Sequence, residues 1–163
     1  MKQLEITPTY RKCVQKALDV AEATGEPAAA MELDDGRIIT GKTSDLLGAS
    51  SALILNALKA LAGINADIDL VSPVVIGPIQ DLKVNHLGNK NPRLHTDEVL
   101  LALSISAATN PTAEKAMQAL ENLRGCEMHS TVILADVDMH TFSKLGVHVT
   151  CEPTRQRKAF YHK

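Results

Sequence analysis

From His86 to Glu98 the chain reads HLGNKNPRLHTDE, thirteen positions that carry two imidazoles (His86, His95), two cations (Lys90, Arg93), two side-chain amides (Asn89, Asn91) and two carboxylates (Asp97, Glu98). That mixture suits an anion site. Lys90 and Arg93 supply charge, Asn89 and Asn91 supply fixed donors, and the first backbone N–H groups of a helix beginning near Thr96 add a favourable dipole. A phosphate or a carboxylate matches such a set. His95 carries a ring that titrates near neutrality, so Asp97 or Glu98 beside it would orient a general acid or base. The same residues also have a plainer use: Thr96 and Asp97 cap the helix, Asn91-Pro92 makes a turn, and the charges face water.

Three further constellations merit comparison with known chemistry. Gly36 stands five positions before Gly41-Lys42-Thr43, the spacing of a G-x-x-x-x-G-K-T phosphate loop. A strand is predicted between the two glycines, which contradicts a single loop, and Lys42 and Thr43 are expected instead to line a pocket at the mouth of a hairpin. Cys126 and His129 lie close together, and a thiol with an imidazole can make a nucleophile, but no third residue is evident to orient them. A structural role is expected for that pair. The six histidines are scattered, and His86 and His95 are separated by a loop rather than placed at i, i+4 on a helix. With Asp97 they are what remains for a divalent ion; neither a metal nor a cofactor is predicted.

These groups need elements to hold them. After Thr7-Pro8, Val14, Ala17, Leu18 and Ala21 recur at helical spacing up to Gly25, an amphipathic helix. AAAMELDDGRIITGK places two apolar runs around Asp34-Asp35-Gly36, a hairpin signal. Ser44 or Ser50 is expected to cap a helix that is apolar nearly all round from Leu53 to Ala62 and stops at Gly63, so it should be central and buried. Ser72-Pro73 opens a helix running toward His86 and Gly88, bent by Gly77-Pro78. Thr96 opens the next, and Asn110-Pro111 opens a third that reaches Leu123, the two forming a helical hairpin. HSTVILADV reads as a strand, DMHTFSKLG as a short helix closed by Gly146 and VHVTC as a second strand; such a unit favours a parallel pair. The fold class predicted is α/β: a small mixed sheet, made of a hairpin plus a strand-helix-strand unit, packed by helices.

Composition limits the partners. With 163 residues the chain fits one domain, residues 1–163, and at that size folding buries roughly 70% of the unfolded chain's surface. Aromatic residues are 2% against 45% hydrophobic residues in all, so aliphatic side chains must fill the core. A formal net charge of -2 and few rings offer nucleic acid neither field nor stacking, and no nucleic-acid partner is expected. Three cysteines, Cys13, Cys126 and Cys151, suit reduced thiols. No stretch approaches the ~20 apolar residues of a membrane span, and the beginning MKQLEITPTY lacks a signal peptide's apolar region, so a cytoplasmic, membrane-free protein is expected. The closing RQRKAFYHK reads as a solvated or docking tail.

The strings GRIITGKTSDLLGASSALILNALKALAGI, HLGNKNPRLHTDEVLLALSISAATNPTA, LRGCEMHSTVIL and KLGVHVTCEP closely resemble the C-terminal region of the bacterial conserved proteins catalogued as domain-of-unknown-function family eighteen forty-six. The resemblance runs from about Pro27 onward. It implies that the chain is the C-terminal domain of a longer cytoplasmic protein, whose larger N-terminal part carries a Gly-rich, Lys-ending segment reminiscent of a phosphate loop. That part then becomes a partner of this one. No reaction follows from the resemblance. The order of elements is also similar to the cytidine-deaminase-like architecture with a helical insertion. Zinc deaminases need H-x-E after the hairpin and P-C-x-x-C later, whereas this chain has Gly48 to Ala52 and Ala135 to Asp138 there, without thiolate or imidazole. The expected function is an accessory or ligand-binding domain for a phosphorylated or carboxylated small molecule. The alternatives are a subunit-interaction domain of a homo-oligomer, and half of a composite phosphate-handling active site.

Overall fold

The structure, a computed structural model, describes residues 12–153. Thr7-Pro8 and the tail from Arg155 lie outside the described residues. In order the chain forms α1 (Lys12–Thr24), β1 (Ala28–Glu32), β2 (Ile38–Lys42), α2 (Ala49–Ala62), α3 (Pro73–Asp81), a π-helical turn (Leu82–His86), α4 (Thr96–Ala107), α5 (Pro111–Gln118), a 3-10 turn (Ala119–Leu123), β3 (Glu127–Ser130), α6 (Asp136–Leu145) and β4 (His148–Cys151). The sheet order is β2-β1-β3-β4, with β1 antiparallel to both neighbours and β3 parallel to β4. This is the α/β class expected, a mixed sheet made of a hairpin and a strand-helix-strand unit, with α3, α4 and α5 inserted between them.

Strand β1 is the centre of the molecule because its residues are small and apolar. Ala29 and Met31 face the larger core, built from α2, α4, α5 and α6, while Ala30 faces α1 through Cys13 and Ala17. Alternation across a strand produces this two-sided burial. The hairpin turns where Asp34-Asp35-Gly36 stands: the Gly36 amide donates to Leu33 O at 2.9 Å, and its φ of 90° suits a residue without Cβ. On β2, Gly41 lets α2 approach so closely that a Cβ there would overlap the backbone of Leu53 and the Ala49 carbonyl. Gly41 is therefore explained by packing, and Gly36 lies in the turn on the far side of the strand, not in a phosphate loop with it.

Several local expectations are corrected. Neither Ser44 nor Ser50 caps α2; the N-cap is Gly48, and Ser44 instead stabilises the preceding loop by accepting from the Leu46 and Leu47 amides at 3.3 and 3.2 Å. The Ser72-Pro73 helix does start as read, with Ser72 Oγ accepting from Val74 N, but past Asp81 it widens into a π-helical turn rather than continuing as α-helix. The HSTVILADV strand is shorter than its β-branched run: β3 ends at Ser130, Thr131 still bonds Ala28 through its amide and hydroxyl, and Ser130 Oγ donates to Val132 O at 2.7 Å as residues 132–135 leave the sheet. Asn110 caps α5 as expected, accepting from Thr112 N and Ala113 N.

Candidate functional site

A cavity of about 270 Å³ opens where the start of α2, the segment 91–95 and the loop 130–135 converge. The fold stitches these pieces together through backbone. Leu94 N donates to Leu46 O at 3.1 Å, and Ser51 Oγ donates to Leu94 O at 2.7 Å. Arg93 is buried; its Nε donates to Ser44 O and its amide donates to Asn91 Oδ1 at 3.1 Å, the turn predicted at Asn91-Pro92. Behind the segment, Lys83 of the π-helical turn is 3% exposed and donates from Nζ to Arg93 O at 2.6 Å while pairing with Glu98 Oε1 at 2.8 Å. The same Glu98 oxygen accepts the His95 amide at 2.8 Å. A single-turn π-bulge of this kind places one side chain where a regular helix would not. Here it buries a lysine that fixes the loop in front of α4.

The N-terminus of α4 carries an anion of the protein's own. His95 is the N-cap and Thr96 the first helical residue, not the cap expected. The Thr96 amide and hydroxyl donate to Asp138 Oδ1 at 3.0 and 2.8 Å, and Asp138 Oδ2 lies 3.6 Å from His95 Nδ1. Asp138 holds His95 above its ordinary value of 6.5, with Glu98 adding to the rise, against burial and Lys83, which push it down. Burial pushes Asp138 up, but His95 and the Thr96 amide and hydroxyl outweigh it, leaving the carboxyl below its ordinary 3.8. The result is an imidazole oriented at Nδ1 by a buried carboxylate, on a residue that lines the cavity.

The start of α2, on the opposite wall, is finished differently. Gly48 has no side chain to cap it, and the amides of Ala49, Ser50 and Ser51 have no acceptor among the described residues. Ser50 and Thr43 both line the cavity at 5% and 4% exposure, and neither hydroxyl has a hydrogen-bond partner among the described residues. Buried polar groups without partners are uncommon and each asks for a reason. Val132, Leu134 and Ala135 supply an apolar wall.

Of the residues singled out from sequence, Thr43, Asn91, Arg93 and His95 meet in this cavity, and Thr96 stands behind it holding Asp138. Asn89 and Lys90 line a more open depression outside, with Lys83, Asn91 and His95. Lys42 is exposed at the end of β2, Asp97 is exposed, and His86 sits on the surface 3.5 Å from Asp81. Among the described residues no group of three or more His, Cys, Asp or Glu side chains is placed to hold a metal ion. Cys126 and His129 do not form a nucleophilic pair: burial raises the Cys126 thiol, which donates to Asn122 O, while His129 engages Thr150 Oγ1 at 2.7 Å and Glu152 Oε2 at 2.6 Å. Sequence reasoning missed Ser50, Lys83 and Asp138 as site residues. The one sequence signal for Ser50 was a glycine just before the helix, which leaves its first turn uncapped.

Among the described residues no helix is long and apolar enough to cross a membrane. The whole chain is 58% identical over 163 residues to a UPF0371 protein of Corynebacterium glutamicum (strain R) and covers 33% of that protein. It is 60% identical to UPF0371 protein cu0538 of Corynebacterium urealyticum and 52% identical to a UPF0371 protein of Streptococcus sanguinis, in both cases over the full chain and 33% of the relative. The chain thus spans about a third of the length of these relatives, as expected of a region within a longer protein. The model of the C-terminal domain of unknown function DUF1846 matches residues 9–161, and the chain belongs to that family.

Proposed function

We propose that this domain binds the anionic group of a small molecule in the cavity between α2 and the 91–95 segment. The observation that carries the reading is the α2 N-terminus, without a side-chain cap, beside two buried hydroxyls, Ser50 and Thr43, that have no partner among the described residues. Backbone amides there point positive ends at any anion, with Arg93 and His95 beside them. The anion's place moves from the start of α4 to the start of α2, because Asp138 already occupies the first. In the longer relatives the same cavity would be one half of a phosphate-handling centre.

Thermal unfolding of this chain in a panel of phosphates, sulfates and carboxylates tests the reading. A bound anion at a hundredfold excess over its Kd adds about 2.7 kcal/mol of stability. Ser50→Ala should leave unliganded stability within about 0.5 kcal/mol, because its hydroxyl has no partner among the described residues, yet weaken the anion roughly tenfold. No stabilisation by any anion would sink the proposal.

A second reading concerns α4, whose outward face exposes Leu101 and Ile105 at 63% and 67%, four residues apart. We propose that this stripe is covered by the other two thirds of the longer relatives. Leu101→Asp with Ile105→Asp should be nearly neutral here, within about 0.5 kcal/mol, and destabilising in a full-length relative; equal effects in both would reject it.

A further inference from the structure

We infer that the occupant of this cavity is a phosphate monoester with a short uncharged arm, bound as the dianion against protonated His95, in preference to any carboxylate. The inference rests on the anion-binding reading above and narrows it to one ligand class and one charge state.

Donors decide between the two anions. The cavity wall presents the amides of Ala49, Ser50 and Ser51, the hydroxyls of Ser50 and Thr43, and the His95 side chain. Acceptors are already committed: Asp138 Oδ1 serves Thr96, Asp138 Oδ2 serves His95, and Asn91 Oδ1 serves the Arg93 amide. A carboxylate has two oxygens and about four lone-pair positions, fewer than the donors waiting for it. A phosphate monoester brings three strong acceptor oxygens and a charge approaching -2, matching a site that is almost all donor. A bidentate carboxylate would leave buried donors unanswered, which is where discrimination comes from.

Volume sets the rest of the molecule. The cavity of about 270 Å³ is partly open, so it takes up the phosphoryl group and the first atoms of the arm. The arm lies against Val132, Leu134 and Ala135, which offer no charge partner, and leaves past Ile133, exposed at the mouth.

The charge state follows from what surrounds His95. It is faced by Asp138 from α6, by Glu98 of its own helix and by Lys83 of the π-helical turn, and Arg93 of the preceding segment lines the same cavity. Imidazole is the one side chain in that set whose ordinary titration falls between about pH 5 and 8. A dianion in the cavity favours imidazolium, so binding takes up a proton wherever His95 is neutral beforehand.

Calorimetric titration of this chain with inorganic phosphate, sulfate, glycerol 3-phosphate, acetate and glycerate, from about pH 5.5 to about 8.5 and in two buffers of different ionisation heat, tests this. Glycerol 3-phosphate is expected to bind at least about tenfold tighter than glycerate, the loss typical of buried donors left unpaired. Sulfate keeps its charge, so its affinity should fall about tenfold per pH unit above the His95 pKa, while phosphate, which must first lose its second proton, passes through a maximum. His95→Gln should flatten the sulfate profile, and the two buffers report proton uptake on the unaltered chain. Glycerate as tight as glycerol 3-phosphate, or a flat sulfate profile without proton uptake, overturns this inference and leaves anion binding standing. No heat with any of the five overturns both.

Discussion

The N-termini of α2 and α4 border one cavity, and the protein finishes them in opposite ways. At α4 the Thr96 amide reaches Asp138, the His95 amide reaches Glu98, and Lys83 neutralises Glu98 from behind. At α2 the cap is a glycine, the first three amides are without acceptors among the described residues, and the nearby hydroxyls of Ser50 and Thr43 are equally without partners. Both ends carry the same positive dipole. One is satisfied by the fold and so contributes to stability; the other has no acceptor among the described residues. Unsatisfied donors cost free energy, and the proposed anion would offset that cost.

Removing the internal anion should break the contrast most severely. Asp138→Ala strips an acceptor from the buried Thr96 amide and hydroxyl and takes the partner from His95, and loss of one member of a buried charged network costs about 3 kcal/mol. Urea denaturation should show the midpoint falling with little change in slope. A loss under about 0.5 kcal/mol would mean that α4 is not held by this carboxylate and that the two helix ends are alike.

Half of this contrast was legible in the chain. Local signals behaved: Asp34-Asp35-Gly36 turned the hairpin, Asn110-Pro111 opened α5, and Gly25, Gly63 and Gly146 closed helices with positive φ. The polar segment before α4 was visible for its density, and three of its residues, Asn91, Arg93 and His95, do meet Thr43 in the cavity. What could not be read was which helix end is open. The residue that closes α4 is Asp138, 42 positions away, with no local periodicity to announce it. Lys83 was hidden for another reason, since only the π-helical widening of Leu82–His86 turns it inward. Residues 132–135 misled because β-branched side chains suit strands, whereas Ser130 bends the chain there to form a wall of the cavity.

A smaller effect sharpens the same contrast through pH. His95 is raised above 6.5, so its contribution is complete below that value and fades as pH climbs through the folded value. Asp138 is lowered beneath 3.8, so its contribution is present above that value and fades as pH drops through the folded value. The α4 pair therefore stabilises most in the interval between those limits. Stability measured against pH should form a plateau there that Asp138→Asn flattens, whereas Ser50→Ala, at the other helix end, should leave the profile's shape intact. A profile unchanged by Asp138→Asn would show that His95 titrates independently of it.

The smallest expected change in stability is the most telling, because its sign is reversed. Gly48 has φ -69° and ψ 164°, ordinary extended geometry for any N-cap, and a Cβ built on it meets nothing within 4 Å. Gly48→Asp should therefore be accommodated, accept from the Ser50 or Ser51 amide and place a negative charge on the α2 dipole, adding about 0.5 kcal/mol. In effect α2 would acquire what α4 has from Asp138. A carboxylate seated there also competes with any incoming anion for the same amides and repels it, so phosphate affinity should fall by at least about tenfold as stability rises. Paired urea denaturation and phosphate titration on this variant read both quantities. Gain in one with loss in the other is the signature of donors kept open for a ligand; a variant more stable and still binding phosphate as before would place the anion elsewhere.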